Sequence, residues 1–115
     1  MAITLYGIKT CDSVKKAQTW LKQNNISFEF IDFKQTPPTE AQIAQWCHSA
    51  GWDKLLNKQS KTFRELSPTE KTIADEAQAV ALMLAHPLLI KRPVLISQHQ
   101  ILIGFSELAY NTLNN

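Results

Sequence analysis

Cysteine is scarce in this sequence, and its scarcity excludes several classes of protein. Only Cys11 and Cys47 occur among 115 residues, too few for a secreted domain held together by disulfides. The two do not form a close pair, and neither belongs to a Cys/His spacing typical of zinc sites. His48 follows Cys47 directly, but adjacent residues on a helix point in different directions. We therefore expect no structural metal.

Long apolar runs, signal segments and blocks of positive charge are also missing. No apolar stretch approaches the roughly 20 residues needed to cross a bilayer. The chain enters a predicted strand at once, without a basic and then apolar leader. The formal net charge is only +2, and no run of lysine or arginine could follow a phosphate backbone. We expect a cytoplasmic protein with no direct nucleic-acid or membrane partner, folded as a single domain over residues 1–115.

The feature that the sequence does have is a cysteine between a strand and a helix. An apolar strand ends at Gly7, and an apolar stripe predicts a helix over residues 12–24. Cys11 would then lie at or next to the helix N-cap, where unpaired N–H groups and the helix dipole stabilise a thiolate over a thiol. Lys9 and Lys15 add positive charge nearby. A buried, inert cysteine is the alternative, but the polar surroundings of Cys11 argue against it.

The order of elements along the chain predicts the fold. Strand, helix and a second strand over residues 28–33 form a βαβ unit with parallel strands. A helical insertion follows over approximately residues 39–86, and residues 94–96 and 101–103 then form a hairpin before a last helix. This β-α-β, helical insertion, β-β-α order predicts an α/β (α+β) fold with a four-stranded mixed sheet, the thioredoxin/glutaredoxin arrangement.

Several finer predictions concern the helices. Capping-box patterns predict helix starts at Thr39 and Ser67. The helix that starts at Ser67 is expected to continue to about residue 85, with a possible break near residues 75 and 76. Residues 57–61 read as a polar surface loop, and residues 62–66 are ambiguous. Cys47 lies on an apolar stripe, so packing is its expected role, and a redox role for it stays open. The buried side of the last helix is predicted to be Leu108, Ala109 and Leu113.

Three segments together resemble the ArsC/Spx family. They are residues 5–12 with 15–17 (LYGIKTCD and KKA), residues 86–93 (HPLLIKRP) and residues 104–106 (GFS). The family comprises thioredoxin-fold arsenate reductases, Spx-type transcription regulators and YffB-like proteins, and the Gly-Ile-Lys-x-Cys-Asp form looks most like the YffB-like branch. The similarity runs essentially from end to end.

The resemblance implies a nucleophilic Cys11, an Arg92 near its sulfur, and a cis peptide bond before Pro93 beside the active site. Arginine carries a permanent charge and a forked set of donors, which suit a thiolate, an oxyanion or a carboxylate. Without the resemblance, Arg92 would read as a solvated surface residue. Arsenate reductases of this type carry two further arginines, and the corresponding positions here are Asn57 and Gly104. The Cys-x-x-Cys pair of Spx regulators is also absent, because its second position is Val14.

The leading hypothesis is an oxidoreductase, a glutathione-dependent monothiol reductase of the ArsC/Spx family. Cys11 would attack a disulfide of glutathione or of a protein, and an external thiol would release it. No bound cofactor is expected, glutathione is the co-substrate, and glutaredoxin is a candidate partner. Arg92 would stabilise the thiolate. The predicted substrate contacts are Lys9, Thr10, Lys15, Lys61 and Pro93.

Two other functions stay open. One is a weak or vestigial arsenate reductase, which keeps the enzyme class and changes the substrate. The other is an Spx-like regulator that binds the RNA polymerase α subunit without catalysis.

Overall fold

The computed structural model describes residues 2–98 and 100–114, and the chain divides into two compact units. The first comprises Met1–Thr36 and Arg92–Asn115, and the second comprises Pro37–Lys91. The helical insertion expected over approximately residues 39–86 falls within the second unit. That residues 1–115 behave as one domain stays a prediction.

The first unit contains a four-stranded mixed sheet. Its strands β1 (Thr4–Gly7), β2 (Glu29–Asp32), β3 (Val94–Ile96) and β4 (Ile101–Ile103) lie in the order β2-β1-β3-β4. The β1–β2 pair is parallel and the other two pairs are antiparallel. Helix α1 (Asp12–Gln23) connects β1 to β2. The mixed sheet and its β-α-β and β-β-α halves confirm the predicted fold class.

Helix α1 follows its sequence pattern closely. It packs through an apolar face whose buried members are Val14, Ala17, Trp20 and Leu21. Asn25 follows the helix at a φ of 58°, a left-handed conformation that asparagine tolerates better than most residues. Leu5 of β1 pairs with Leu95 of β3, and both are fully buried with α1 in one apolar cluster.

The prediction for the last helix was wrong at Leu108. Helix α7 is a single turn, Glu107–Tyr110, whose N-cap Ser106 accepts a hydrogen bond from the Ala109 N–H. Leu108 is 82% exposed, whereas the Tyr110 side chain is fully buried. Residues two apart point to nearly opposite sides of a helix. Because the bulky ring of Tyr110 occupies the inner side, Leu108 faces solvent.

The second unit consists of short helices. They are α2 (Glu40–Ala50), α3 (Trp52–Leu55), α4 (Lys61–Arg64), α5 (Pro68–Lys71) and α6 (Glu76–Ala85). The capping boxes at Thr39 and Ser67 are confirmed. A continuous helix from Ser67 to about residue 85 is not formed, because α5 ends at Lys71 and α6 begins at Glu76. This agrees with the expected break near residues 75 and 76, where the Asp75 side chain caps α6 by accepting the Gln78 N–H at 2.9 Å. Within residues 2–98 and 100–114, no helix is long and apolar enough to cross a membrane.

The polar loop predicted over residues 57–61 ends one residue earlier than expected. Lys61 is the first residue of α4, whose N-cap is Ser60. The Ser60 Oγ accepts a hydrogen bond from the Phe63 N–H at 3.2 Å, a satisfied cap that allows the helix to start there. Lys61 is therefore a helix residue, and the ambiguous segment 62–66 is helical as far as Arg64.

Candidate active site

Cys11 is the N-cap of α1, in agreement with the prediction that it lies at or next to that position. Its backbone is extended, at φ −82° and ψ 127°, and its side chain makes no capping hydrogen bond. The side chain is half-buried. Serine, threonine or aspartate at this position would commonly accept a hydrogen bond from a first-turn N–H through its side-chain oxygen. The sulfur of Cys11 is instead placed at the positive end of a helix and is reachable from solvent.

The turn before α1 presents this cysteine. The Cys11 N–H donates to the Ile8 carbonyl at 3.1 Å, and the Cys11 carbonyl accepts the Lys15 N–H at 3.0 Å. The first bond closes a tight turn and the second begins the helix. Cys11 is thus fixed on both sides by its own backbone.

Arg92 and Pro93 lie just before β3. The peptide bond between them is cis, as the resemblance implies, Pro93 is buried and Arg92 is half-buried. The antiparallel register pairs Tyr6 with Val94, so the residues preceding Val94 lie at the sheet edge where β1 ends. Arg92, Pro93 and the loop that carries Cys11 are therefore gathered at the same edge of the sheet.

Sequence reasoning missed Asp32 at this edge. Asp32 pairs with Gly7 at the ends of the parallel strands and is only 8% exposed. Its Oδ2 accepts the Lys9 N–H at 3.3 Å and its Oδ1 accepts the Lys34 N–H at 2.8 Å. The available signal was a carboxylate one residue before the end of the strand predicted over residues 28–33, which was expected to be parallel to the strand that precedes the cysteine.

The predicted substrate contacts are spread over both units. Lys9 and Thr10 are exposed residues of the turn before Cys11, and Lys15 is exposed in the first turns of α1. Lys61 is exposed and belongs to the second unit, so its role stays a prediction. A groove of about 600 Å³ runs along α1 and includes Lys15. Its lining residues are Lys15, Lys16, Thr19, Trp20, Gln23, Phe105, Ser106 and Glu107.

Asn57 and Gly104 have local backbone roles. The Asn57 Oδ1 accepts the Gln59 N–H at 3.1 Å, and the Asn57 carbonyl accepts the Ser60 hydroxyl at 3.0 Å. Gly104 has a φ of 77° and donates its N–H to the Pro93 carbonyl at 2.8 Å. An arginine at position 104 would have to adopt this left-handed conformation, which is strained for a residue that carries a Cβ atom.

The second cysteine is chemically different from Cys11. Cys47 lies in α2 and is 1% exposed. Burial, with a smaller contribution from Glu76, raises the pKa of the Cys47 thiol to about 11. Cys47 is therefore a protonated, packed thiol at neutral pH. In residues 2–98 and 100–114, no cluster of three or more His, Cys, Asp or Glu side chains could hold a metal ion.

The fold and the position of Cys11 define a thioredoxin-like α+β protein with a single thiol at the N-cap of its first helix. The model of the ArsC family matches residues 6–113, so the chain belongs to the ArsC family. An uncharacterized protein of Haemophilus influenzae is 40% identical over 108 residues, which are 94% of this chain and 95% of that protein.

Two solved structures and a further sequence relative agree with this assignment. A protein named YFFB is 43% identical, with a TM-score of 0.93 and 96% of each chain covered. An arsenate reductase (ArsC) related protein from Brucella melitensis is 36% identical, with a TM-score of 0.77, covering 100% of this chain and 96% of that one. The global transcriptional regulator Spx of Bacillus subtilis is 27% identical over 107 residues, 91% of this chain and 81% of that protein. The predicted resemblance to the ArsC/Spx family is thus confirmed.

Proposed function

We propose that this protein is a glutathione-dependent monothiol reductase in which Cys11 is the nucleophile. The observation that supports it most is the placement of Cys11, a half-exposed N-cap residue whose side chain makes no capping hydrogen bond. Amide N–H groups at a helix N-terminus favour the thiolate, and the thiolate is the form that attacks disulfides.

The proposed reaction is two thiol–disulfide exchanges. The Cys11 thiolate attacks the glutathione sulfur of a mixed disulfide between glutathione and a substrate thiol, whose S–S bond breaks. The substrate leaves as a thiolate and takes up a proton, while Cys11 becomes glutathionylated. A second glutathione thiolate then attacks this adduct, which releases glutathione disulfide and restores the Cys11 thiolate. Overall, the second glutathione thiol is oxidised to the disulfide level, the substrate sulfur is reduced to a free thiol, and both glutathione sulfurs leave as glutathione disulfide.

A monothiol mechanism is favoured because a resolving thiol is supplied neither by the second position of a Cys-x-x-Cys pair nor by the second cysteine of the chain. The residue three positions after Cys11 is Val14, a fully buried side chain of α1. Cys47 is buried, and its pKa is raised to about 11, so it carries little thiolate at neutral pH. An external thiol is therefore needed to release the adduct.

Positive charge near Cys11 would serve the anionic groups of glutathione. Arg92, at the same sheet edge as the cysteine loop, offers a forked guanidinium to the thiolate or to a glutathione carboxylate. Lys9 and Lys15 are exposed on either side of Cys11 in sequence, where a flexible ammonium can meet a carboxylate. Thr10 would supply a hydroxyl, and Pro93, buried at the same sheet edge, would form part of the wall beside the thiol.

Adduct formation with oxidised glutathione tests this proposal. Mass spectrometry is expected to find one glutathione on Cys11, reversed by reduced glutathione and absent from Cys11→Ser. Cys47→Ala is the matched control and should form the adduct at the wild-type rate. An adduct on Cys47 alone, or none at all, would contradict the proposal.

A regulator without catalysis is the candidate from a different class, and the likeness to Spx of Bacillus subtilis favours it. Such a protein would bind the RNA polymerase α subunit through its surface. Purified α subunit should then be retained equally by wild type and Cys11→Ser, with no glutathione adduct on either protein. Binding that is absent from both proteins would remove this alternative.

Arsenate reduction is the alternative within the same class, and the name of the Brucella melitensis relative favours it. The two positions at which arsenate reductases carry further arginines hold Asn57 and Gly104, and Gly104 has a φ of 77°. Loss of two cations would leave a bound dianion poorly neutralised. Arsenate-dependent oxidation of glutathione is therefore expected to be no faster with wild type than with Cys11→Ser, and a clear excess with wild type would restore this function.

A further inference from the structure

The loop that carries Cys11 is attached to the rest of the first unit by a buried carboxylate that the proposed chemistry does not use. We propose that Asp32 is a positioning residue for Cys11, holding the turn that presents the thiol. The inference rests on the proposed function for the reaction at Cys11, but it concerns a residue that takes no part in bond making or breaking.

The turn before Cys11 needs an outside acceptor. The bond from the Cys11 N–H to the Ile8 carbonyl closes a four-residue turn whose central residues are Lys9 and Thr10. In such a turn the N–H of the second residue is not used by the closing bond. Here that group is the Lys9 N–H, which donates to the Asp32 Oδ2 at 3.3 Å across 23 positions of sequence.

Asp32 is itself held in place. Its Oδ1 accepts the Lys34 N–H at 2.8 Å, and its carbonyl accepts the N–H groups of Gln35 and Thr36 at 3.0 and 2.8 Å. The Phe33 N–H donates to the Gly7 carbonyl at 2.7 Å. The carboxylate therefore connects two loops, one after each parallel strand, and both of its oxygens accept backbone N–H groups.

This arrangement acts on the position of the sulfur. Cys11 closes the turn with its N–H and begins α1 with its carbonyl, so a shift of Lys9 is transmitted to the residue that reacts. The contact with the Lys34 N–H is local in sequence, and it would be enough to hold the loop that follows β2. The Lys9 contact is the one that relates Asp32 to the thiol, and small displacements of a reacting group reduce rates.

Asp32→Asn separates the two contacts. Asparagine has one acceptor oxygen, which can keep the shorter bond to Lys34 and then turns its NH₂ group toward the Lys9 N–H. The rate of Cys11 with dithionitrobenzoate is expected to fall on the order of fivefold, as for loss of one hydrogen bond. The matched control is Asp12→Asn, which removes an exposed carboxylate next to Cys11. It should leave the rate unchanged or raise it, because loss of a neighbouring negative charge favours the thiolate.

A second pair of variants changes the donor of the Lys9–Asp32 hydrogen bond. This pair tests the positioning role even if Asp32→Asn does not fold. Lys9→Pro removes the donor N–H, whereas Lys9→Ala keeps it, and both lose the same charge. Proline suits the second position of common turns. Lys9→Pro should react on the order of fivefold more slowly than Lys9→Ala, and adding Asp32→Asn to Lys9→Pro should slow it no further.

Cys47 reports whether a slower rate comes from general loosening. It is buried in wild type, so labelling of Cys47 in Asp32→Asn would indicate partial unfolding and overturn the positioning role. A rate for Asp32→Asn that matches Asp12→Asn would also overturn it. If wild-type Cys11 reacts with neither dithionitrobenzoate nor glutathione disulfide, the proposed function fails and the inference fails with it. A reactive wild type with an unaffected Asp32→Asn overturns the inference alone.

Discussion

Gly7 lies so close to Val14 that no side chain fits between them. A Cβ at Gly7 would be 2.5 Å from Cγ2 of Val14, well inside van der Waals contact. Val14 is fully buried, and its branched side chain has little freedom to move away in a helix. This contact seats the first turn of α1 on the end of β1, and Cys11 is the residue that caps that turn.

Gly7→Ala should destabilise the protein by about 1–3 kcal/mol, the usual cost of overpacking a core. Val14→Ala removes the overlapping methyl groups, so the double variant should lose less stability than the sum of the single ones, with a coupling of about 1 kcal/mol. Urea unfolding of the four proteins measures this. Gly104→Ala is a matched control, because a Cβ there meets nothing within 4 Å and its cost should not change with Val14→Ala. Additive losses at Gly7 and Val14 would contradict the prediction.

Cys47 should make stability fall at alkaline pH. Burial raises the pKa of its thiol to about 11, above the value of about 8.5 for an exposed cysteine. The unfolded chain therefore loses its thiol proton first, and the folded state loses stability as pH rises from about 8.5 to 11, by up to about 3 kcal/mol. Cys47→Ala lacks this proton, so the difference in free energy of unfolding between it and wild type should shrink across that range. A difference that is constant with pH would show that the buried thiol does not titrate as expected.

Local patterns predicted the placement of Cys11 because each step depends on neighbouring residues. Gly7 ends a strand, the spacing of Val14, Ala17 and Leu21 starts a helix, and the cysteine falls between them. The capping boxes at Thr39 and Ser67 are equally local and were also correct. Such patterns predict the structure correctly because the hydrogen bonds that they describe join residues three or four positions apart and need no distant partner.

Long-range contacts explain what the sequence did not reveal. Asp32 accepts the Lys9 N–H across 23 positions, and no pattern around residue 32 indicates that partner. The exposure of Leu108 depends on Tyr110 filling the space beside Trp20, which only the packed structure shows. The start of α4 at Lys61 was missed for a different reason. Its cap, Ser60, is a local signal, but it lies within a run of polar residues that is equally typical of a loop.

Glu70 should contribute stability that is lost in acid. Its pKa is lowered chiefly by the hydrogen bond from the Ser67 N–H, then by the Ser67 hydroxyl and by His86, whose Nε2 lies 3.5 Å from the Glu70 Oε2. Because the folded state holds the carboxylate more tightly than the unfolded chain does, the contribution is present above the usual glutamate value of about 4.3. It disappears as pH falls through the lowered pKa.

Glu70→Gln tests this, since glutamine keeps an acceptor for the Ser67 N–H and carries no charge. In thermal unfolding from pH 7 to pH 3, the midpoint temperature of wild type should be higher than that of the variant at neutral pH. The two midpoint temperatures should converge in acid. A gap that is independent of pH would mean that the carboxylate charge adds nothing to this cap.

Tyr110 should be replaceable by phenylalanine but not by a smaller residue. Its ring is fully buried and lies edge-on to Trp20 and Phe105, with centroids 5.5 and 4.9 Å apart. Its hydroxyl is buried without a hydrogen-bond partner in residues 2–98 and 100–114. Tyr110→Phe keeps the ring contacts and removes an unsatisfied polar group, so stability at pH 7 should be unchanged or higher by about 1 kcal/mol. Tyr110→Ala should cost about 3–5 kcal/mol.

The pH dependence of the same variants gives a second readout. Burial raises the pKa of Tyr110, so the unfolded chain loses the phenol proton first, near pH 10. Wild type should therefore lose stability relative to Tyr110→Phe as pH rises above about 10. Urea unfolding at pH 7 and pH 10.5, in a Cys47→Ala background that removes the thiol contribution, measures both effects. A clear loss of stability in Tyr110→Phe at pH 7 would mean that the hydroxyl does find a partner in solution, and the predicted alkaline difference should then be smaller or absent.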